Sequence, residues 1–103
     1  LIISGGYNVY PKEVEDVLNE LVEIEESAVF GVSDKDFGER VIAAIVMADK
    51  ENFNQSQTES FVHDKSARYK KPKEYVVLEA LPRNTMGKVQ KNELRKRFSN
   101  PKN

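Results

Sequence analysis

Lys88 follows a glycine in the stretch PRNTMGKVQK, residues 82–91. A Gly-Lys pair in a loop suggests phosphate: glycine lets backbone approach an anion and the ammonium neutralises it. The nearest familiar nucleotide cradle, GxxxxGK[ST], fails here twice. Pro82 stands at the first glycine, and Val89 where a hydroxyl should hold magnesium. Pro82 stiffens the loop, Gly87 lets the backbone turn, and Lys88 is presented just before a new element. A lysine at a loop tip is a mobile point charge, suited to offsetting an anionic transition state rather than to bidentate recognition.

Other stretches carry weaker signals, each with a plain structural alternative. Gly5-Gly6 is either a tight turn or a place where backbone and ligand meet because no Cβ intervenes. In SDKDFGER, Asp34, Asp36 and Glu39 are candidate paired carboxylates, but nothing nearby offers an apolar pocket to separate their pKa values. A solvated turn is the simpler expectation. His63 reads as a surface histidine. The stretch KSARYKKPKEY interleaves Lys65, Arg68, Lys70, Lys71 and Lys73 with Tyr69 and Tyr75. That composition suits a nucleic-acid or phosphate-tail surface, or else a solvated helix end.

The elements that must position these residues follow from the hydrophobic pattern. LIIS-GG-YNVY is a hairpin signal. Pro11 opens a helix whose buried face is Val14, Val17, Leu18, Leu21 and Val22. EESAVFGVS and RVIAAIVMAD are strand-length apolar runs about the turn DKDFG, and both look buried on two faces. Ser56 and Glu59 form a capping box that starts a second helix carrying Phe61, Val62 and Tyr69, stopped by Pro72. EYVVLEA predicts a further strand, and Leu94 with Phe98 gives a short last helix its apolar side. The expected class is α+β: an N-terminal β-hairpin followed by a small, about three-stranded sheet with helices packed on it.

Composition narrows the chemistry. The 103 residues are 39% hydrophobic and 32% charged, which fits one domain without a membrane span. Cysteine is absent and His63 is the one histidine, so thiolate metal sites and disulfides are excluded and no metal site is expected. The net charge of −1 hides a split: residues 1–64 hold 4 basic and 14 acidic side chains, residues 65–103 hold 12 and 3. The halves either neutralise each other across the fold, or the basic half meets an anionic partner. The chain starts LIIS, inside an apolar run and without methionine, and reads as a piece of something longer.

The ordered set SGGYNVYPKEVE, GVSDKDFGERVIAAIV and YKKPKEYVVLEALPRNTMGKVQKNELR resembles the C-terminal domain of the adenylate-forming acyl-CoA synthetases. The resemblance runs from Leu1 to Phe98. It rests on two motifs, Ser-Gly-Gly-Tyr-Asn-x-x-Pro-x-Glu-x-Glu and Pro-Arg-x-x-x-Gly-Lys-x-x-Lys. Within the family it looks most like the bacterial malonyl-CoA or methylmalonyl-CoA synthetases. Met86 departs from the wider family, where many members have serine before the Gly-Lys; the malonyl type shares the methionine.

The resemblance implies that residues 1–98 are a lid domain, with a disordered tail over 99–103. A large N-terminal domain of the same polypeptide would hold ATP, Mg2+ and the acyl pocket, and the family's hinge residue would lie upstream of Leu1. Lys88 is implied as the adenylation lysine and a candidate for a lysine acetyltransferase. Gly5, Gly6 and Tyr7 are implied to line the tunnel for the pantetheine arm of coenzyme A. Charge adds Lys65, Arg68, Lys70 and Lys71 for the coenzyme A phosphates. The substrate is expected to be a small carboxylate, malonate or methylmalonate, with a fatty or aromatic acid as the alternative. The compartment is expected to be cytoplasmic, with no nucleic-acid partner. Outside the enzyme class, the rivals are a basic-faced nucleic-acid-binding module and a free-standing interaction domain.

Overall fold

The structure is a computed structural model and describes residues 1–48, 52–65 and 71–99. In chain order its elements are β1 (Ile2–Ser4), β2 (Tyr7–Val9), α1 (Pro11–Leu18), β3 (Ile24–Asp34), β4 (Gly38–Met47), α2 (Gln55–Lys65), β5 (Glu74–Val77) and α3 (Lys91–Phe98). The α+β expectation holds. The hairpin is no separate layer, however: β1 pairs β4 at Ser4↔Gly38, so all five strands form one sheet. β3 and β4 pair antiparallel from Ile24↔Met47 to Asp34↔Gly38, and β5 runs parallel to β4.

β3 and β4 are buried on both faces, as their continuous apolar runs require. Because strand side chains alternate, the two strands feed two cores. Val29, Val41, Ala43 and Ile45 face Val14 and Leu18 of α1 and Val62 of α2. Phe30, Val32, Ile42 and Ala44 face the other way, toward Leu81 and Leu94. Phe98 closes that side against Phe30, with ring centroids 6.2 Å apart.

The outer edge of β3 is covered rather than left as a pairing template. Glu15 of α1 accepts a hydrogen bond from the Val29 amide at 2.8 Å and pairs with Lys91 at 2.7 Å. Asn19 accepts from the Ser27 hydroxyl at 2.8 Å.

Two sequence expectations need correction. The helix that Pro11 opens ends at Leu18, and Val22, expected on its buried face, is 89% exposed. Beyond Leu18 the chain closes single turns, Glu20 to Val17 and Leu21 to Leu18, so helical phase is lost before Val22. Ser56 is not the cap of α2. Asn54 is: its side-chain oxygen accepts from the Gln57 amide at 3.0 Å and its carbonyl from Thr58. The cap thus sits two residues ahead of the predicted Ser56. Tyr69 lies outside the described residues. No helix among the described residues is long and apolar enough to cross a membrane.

Gly31 marks the tightest point beneath the hairpin. A Cβ there would stand 2.8 Å from Ile2 Cγ2 and 3.1 Å from Glu39 Oε2. Gly31→Ala should therefore destabilise the chain by about 1–3 kcal/mol, the usual cost of overpacking. Denaturant titration of both proteins reads this directly, and an unchanged midpoint would mean that Ile2 is not seated there.

Candidate functional site

The loop that carries Lys88 is closed by its own backbone. Arg83 bridges Val89, Gln90 donates to the Pro82 carbonyl at 2.8 Å, and Asn84 donates to the Lys88 carbonyl at 3.0 Å. Asn84 organises the tip: its side-chain oxygen accepts from the amides of Met86 and Lys88, each at 2.9 Å. Gly87 takes φ +85°, a conformation that side chains rarely adopt, and so permits the reversal. Arg83 then ties the loop down, donating to the Gly87 carbonyl at 2.6 Å and pairing with Glu26 at the start of β3. Lys88 is exposed, and among the described residues none pairs with its ammonium. The result is a rigid loop with a free cation at its end.

Gly5 and Gly6 form the β1–β2 turn, with φ of +58° and +83°. Of the alternatives open in the sequence, the tight turn is what forms, and the space beside Gly6 is open. The Gly5 amide donates to the Phe37 carbonyl at 2.9 Å. Apart from its two chain neighbours, no described residue has an atom within 4 Å of where a Gly6 Cβ would stand. Beside this turn is a groove of about 260 Å³ lined by Ser4, Gly5, Tyr7, Phe37 and the segment Lys71–Pro72–Lys73. The Lys73 ammonium rests 4.0 Å from the centroid of the Phe37 ring. The groove thus has an apolar floor with cations at one wall.

The two features stand at opposite ends of the β3–β4 hairpin. Arg83 anchors the Lys88 loop to Glu26, while the glycine turn packs on the connection at Phe37. From Glu26 to Asp34 the strand runs about 26 Å at roughly 3.3 Å per residue. Their flanks also pack on opposite sheet faces: Leu81 and Val89 with Phe30, Ile2 and Val9 with α1.

The remaining candidates divide. Lys71 lines the glycine groove. Lys65 does not: it pairs with Glu20 at 3.5 Å and lies over the Phe61 ring. Arg68 and Lys70 lie outside the described residues. Tyr75 is no stacking platform for bases, because it packs on Phe53 with centroids 5.6 Å apart and buries its hydroxyl. Burial, helped by the Glu59 charge, pushes its phenol above the ordinary value. His63 is exposed. Asp34 shapes its turn by accepting from the amides of Asp36 and Phe37, so the expected solvated turn is what forms. Glu39 points elsewhere, accepting from the Ile3 amide at 2.8 Å. Sequence reasoning passed over Phe37, Arg83 and Asn84, and named Lys73 only as part of a basic run. Asn84 alone had a legible signal, an Asn placed to bond the amides two and four residues on.

Residues 13–88 match the model of the AMP-binding enzyme C-terminal domain, a match that ends on Lys88. The chain belongs to that family. It is 43% identical, over 96% of its length, to the long-chain-fatty-acid-CoA ligase FadD13 of Mycobacterium tuberculosis, and covers 20% of that protein. It is 42% identical, over 92% of its length, to the indoleacetate-CoA ligase of Aromatoleum aromaticum, covering 19%. Among solved structures, apo MatB of Rhodopseudomonas palustris matches 97% of this chain and 20% of its own, with a TM-score of 0.92 and 43% identity. The chain thus spans about a fifth of the length of the relatives it matches.

Because Asn84 alone receives the Met86 and Lys88 amides, Asn84→Ala should open the tip without unfolding the domain. Amide hydrogen exchange at Lys88 should accelerate by about tenfold, the worth of one lost hydrogen bond, while Val29 and Ile45 stay protected. Unchanged exchange at Lys88 would mean that the backbone bridge holds the loop by itself.

Proposed function

We propose that this chain is the lid domain of an ATP-dependent acyl-CoA synthetase, presenting Lys88 for adenylation and the Gly5–Gly6 turn for thioester formation. The observation that carries the reading is the separation of the two features, at opposite ends and flanked by opposite faces of one hairpin. A rigid body of this kind exchanges one feature for the other by rotating as a unit against the domain that holds the substrates.

In adenylation a carboxylate oxygen attacks the α-phosphorus of ATP and pyrophosphate leaves. Two anions must meet, and Lys88, held on a rigid loop, offsets their repulsion. ATP and Mg2+ would be bound mainly by the N-terminal domain of the same polypeptide. In the second half-reaction the thiol of coenzyme A attacks the acyl carbonyl and AMP leaves. Gly5, Gly6 and Tyr7 would flank the pantetheine arm, and Lys71, joined by Lys73, would meet its phosphates. Arg68 and Lys70 remain in the proposal from charge alone; Lys65, turned toward Glu20, is a poorer fit.

For the acyl group we favour malonate or methylmalonate, supported by the wording LPRNTMGKVQKN and by the likeness to MatB. Relatives named for fatty-acid and indoleacetate ligation are equally similar, so another carboxylate is the alternative. A cytoplasmic enzyme and acetylation of Lys88, which would remove its charge, belong to the same proposal. The nucleic-acid module has no supporting observation beyond charge, since Tyr75 is packed away.

In the full-length enzyme, Lys88→Ala should slow adenylation by about 10²–10³-fold or more and spare thioester formation from supplied acyl-adenylate. Equal damage to both half-reactions, read in separate single-turnover assays, would assign Lys88 to the fold instead. Gly6→Leu should do the reverse. Pyrophosphate release persists, acyl-adenylate accumulates and little acyl-CoA forms. At φ +83° leucine adds strain of about 1 kcal/mol or more, so a thermal melt accompanies the assay. A variant that melts normally and makes acyl-CoA at the parent rate would remove Gly6 from the tunnel.

A further inference from the structure

Glu39 is the carboxylate of SDKDFGER that bonds outside the turn, and the proposed chemistry does not use it. Asp34 is spent on the amides of Asp36 and Phe37, and Asp36 is exposed. Glu39 leaves the turn and reaches the glycine hairpin instead. Its Oε1 accepts from the Ile3 amide at 2.8 Å, and its Oε2 lies 3.1 Å from where a Gly31 Cβ would stand. Any side chain at residue 31 would press on both Glu39 and Ile2, so this glycine leaves room for the carboxylate.

Ile2 and Val9 dock the hairpin on the core beneath α1, and the Glu39 carboxylate adds a polar tether near its turn. β1 and β2 are three residues each, and β1 meets β4 in a single residue pair, Ser4↔Gly38. A two-stranded hairpin of that length has little stability of its own in water. Beyond that pair, the Gly5 amide on the Phe37 carbonyl and the Ile3 amide on Glu39 join the β1 side of the turn to β4 and its connection. Of these, only the Glu39 contact comes from a side chain, and it is charge-assisted.

We infer that Glu39 is a positioning residue for thioester formation, holding the Gly5–Gly6 turn in the place where it receives coenzyme A. The inference rests on the tunnel reading given above. Losing the tether does not remove a group that touches coenzyme A. It lowers the fraction of molecules whose turn is docked, and apparent affinity falls by that fraction. Saturating coenzyme A draws the population back. The effect therefore falls on KM for coenzyme A and not on kcat, and the Lys88 loop at the far end of the hairpin is untouched.

The test uses the full-length enzyme with Glu39→Ala and Glu39→Gln, with Gly6→Leu in parallel. Glu39→Ala should raise KM for coenzyme A by about tenfold, with kcat at saturation and single-turnover pyrophosphate release within about twofold of the parent. Glu39→Gln keeps a carbonyl acceptor on the same stem and should recover most of the loss. Exchange at the Ile3 amide, followed by mass spectrometry of the same proteins, should quicken in the alanine variant and recover in the glutamine one. An unchanged KM in Glu39→Ala, or equal loss in both half-reactions, overturns the inference. If Gly6→Leu blocks thioester formation in the same experiment, the tunnel reading survives that failure. If Gly6→Leu is also silent, the tunnel reading falls with it.

Discussion

The antiparallel pairing of β3 with β4 is the constraint on which the other parts depend. Its ladder runs from Ile24↔Met47 to Asp34↔Gly38, with one irregularity between Ile24 and Glu26. Apolar side chains leave both faces, so the ladder supplies the floor of both cores at once. A slip of one residue would send Phe30 beneath α1 and Val29 beneath Leu94, exchanging side chains of different size between cores already filled. The register is pinned at the turn by Asp34, whose carboxylate gathers the Asp36 and Phe37 amides. Each end of this stiff hairpin then serves as a mount for one candidate functional loop.

The two loops are mounted by different physics. The Lys88 loop is largely self-sufficient: Asn84, Gly87 and the Arg83–Val89 bridge close it within a few residues, and Arg83 adds one anchor to β3. Lys88 is left exposed at the end of that support. The glycine turn is held from outside, by Phe37, Gly38 and Glu39 of the β3–β4 connection. Local bonding gives precision cheaply in the first case. Tertiary bonding gives, in the second, a turn whose backbone stays open to a neighbour.

Charge follows the same division of labour. Of the two readings of the acidic–basic split, neutralisation across the fold accounts for several residues: Glu15 meets Lys91, Glu20 meets Lys65, and Glu26 meets Arg83. Such partly exposed pairs contribute about 0–1 kcal/mol each, so they orient elements more than they stabilise them. Lys71 at the glycine groove and Lys88 at its loop tip stand outside those three pairs. Lys73 is held on an aromatic face. Arg95, Lys96 and Arg97 of α3 are exposed and also stand outside those pairs, so neutralisation accounts for only part of the basic half.

Much of this was legible in the chain. Continuous apolar runs gave two doubly buried strands, Pro11 marked the start of α1, Leu94 and Phe98 marked the inner side of α3, and the two motifs with Lys88 and Gly5–Gly6 located the candidate sites. These signals are local, because propensity, periodicity and turn chemistry act over a few residues. The errors were local too: the phase lost after Leu18 left Val22 in solvent, and Asn54 capped α2 ahead of Ser56. What only the tertiary structure decided is which distant groups meet. Glu39 lies 36 positions from Ile3 and Arg83 57 positions from Glu26, and no periodicity in either segment encodes the other's approach. The same holds for the joining of the hairpin to β4, for the turn of Lys65 toward Glu20, and for the packing of Tyr75 on Phe53. Residue types set what each side chain can do; sheet closure, which brings together strands far apart in the chain, sets which of them are free to do it.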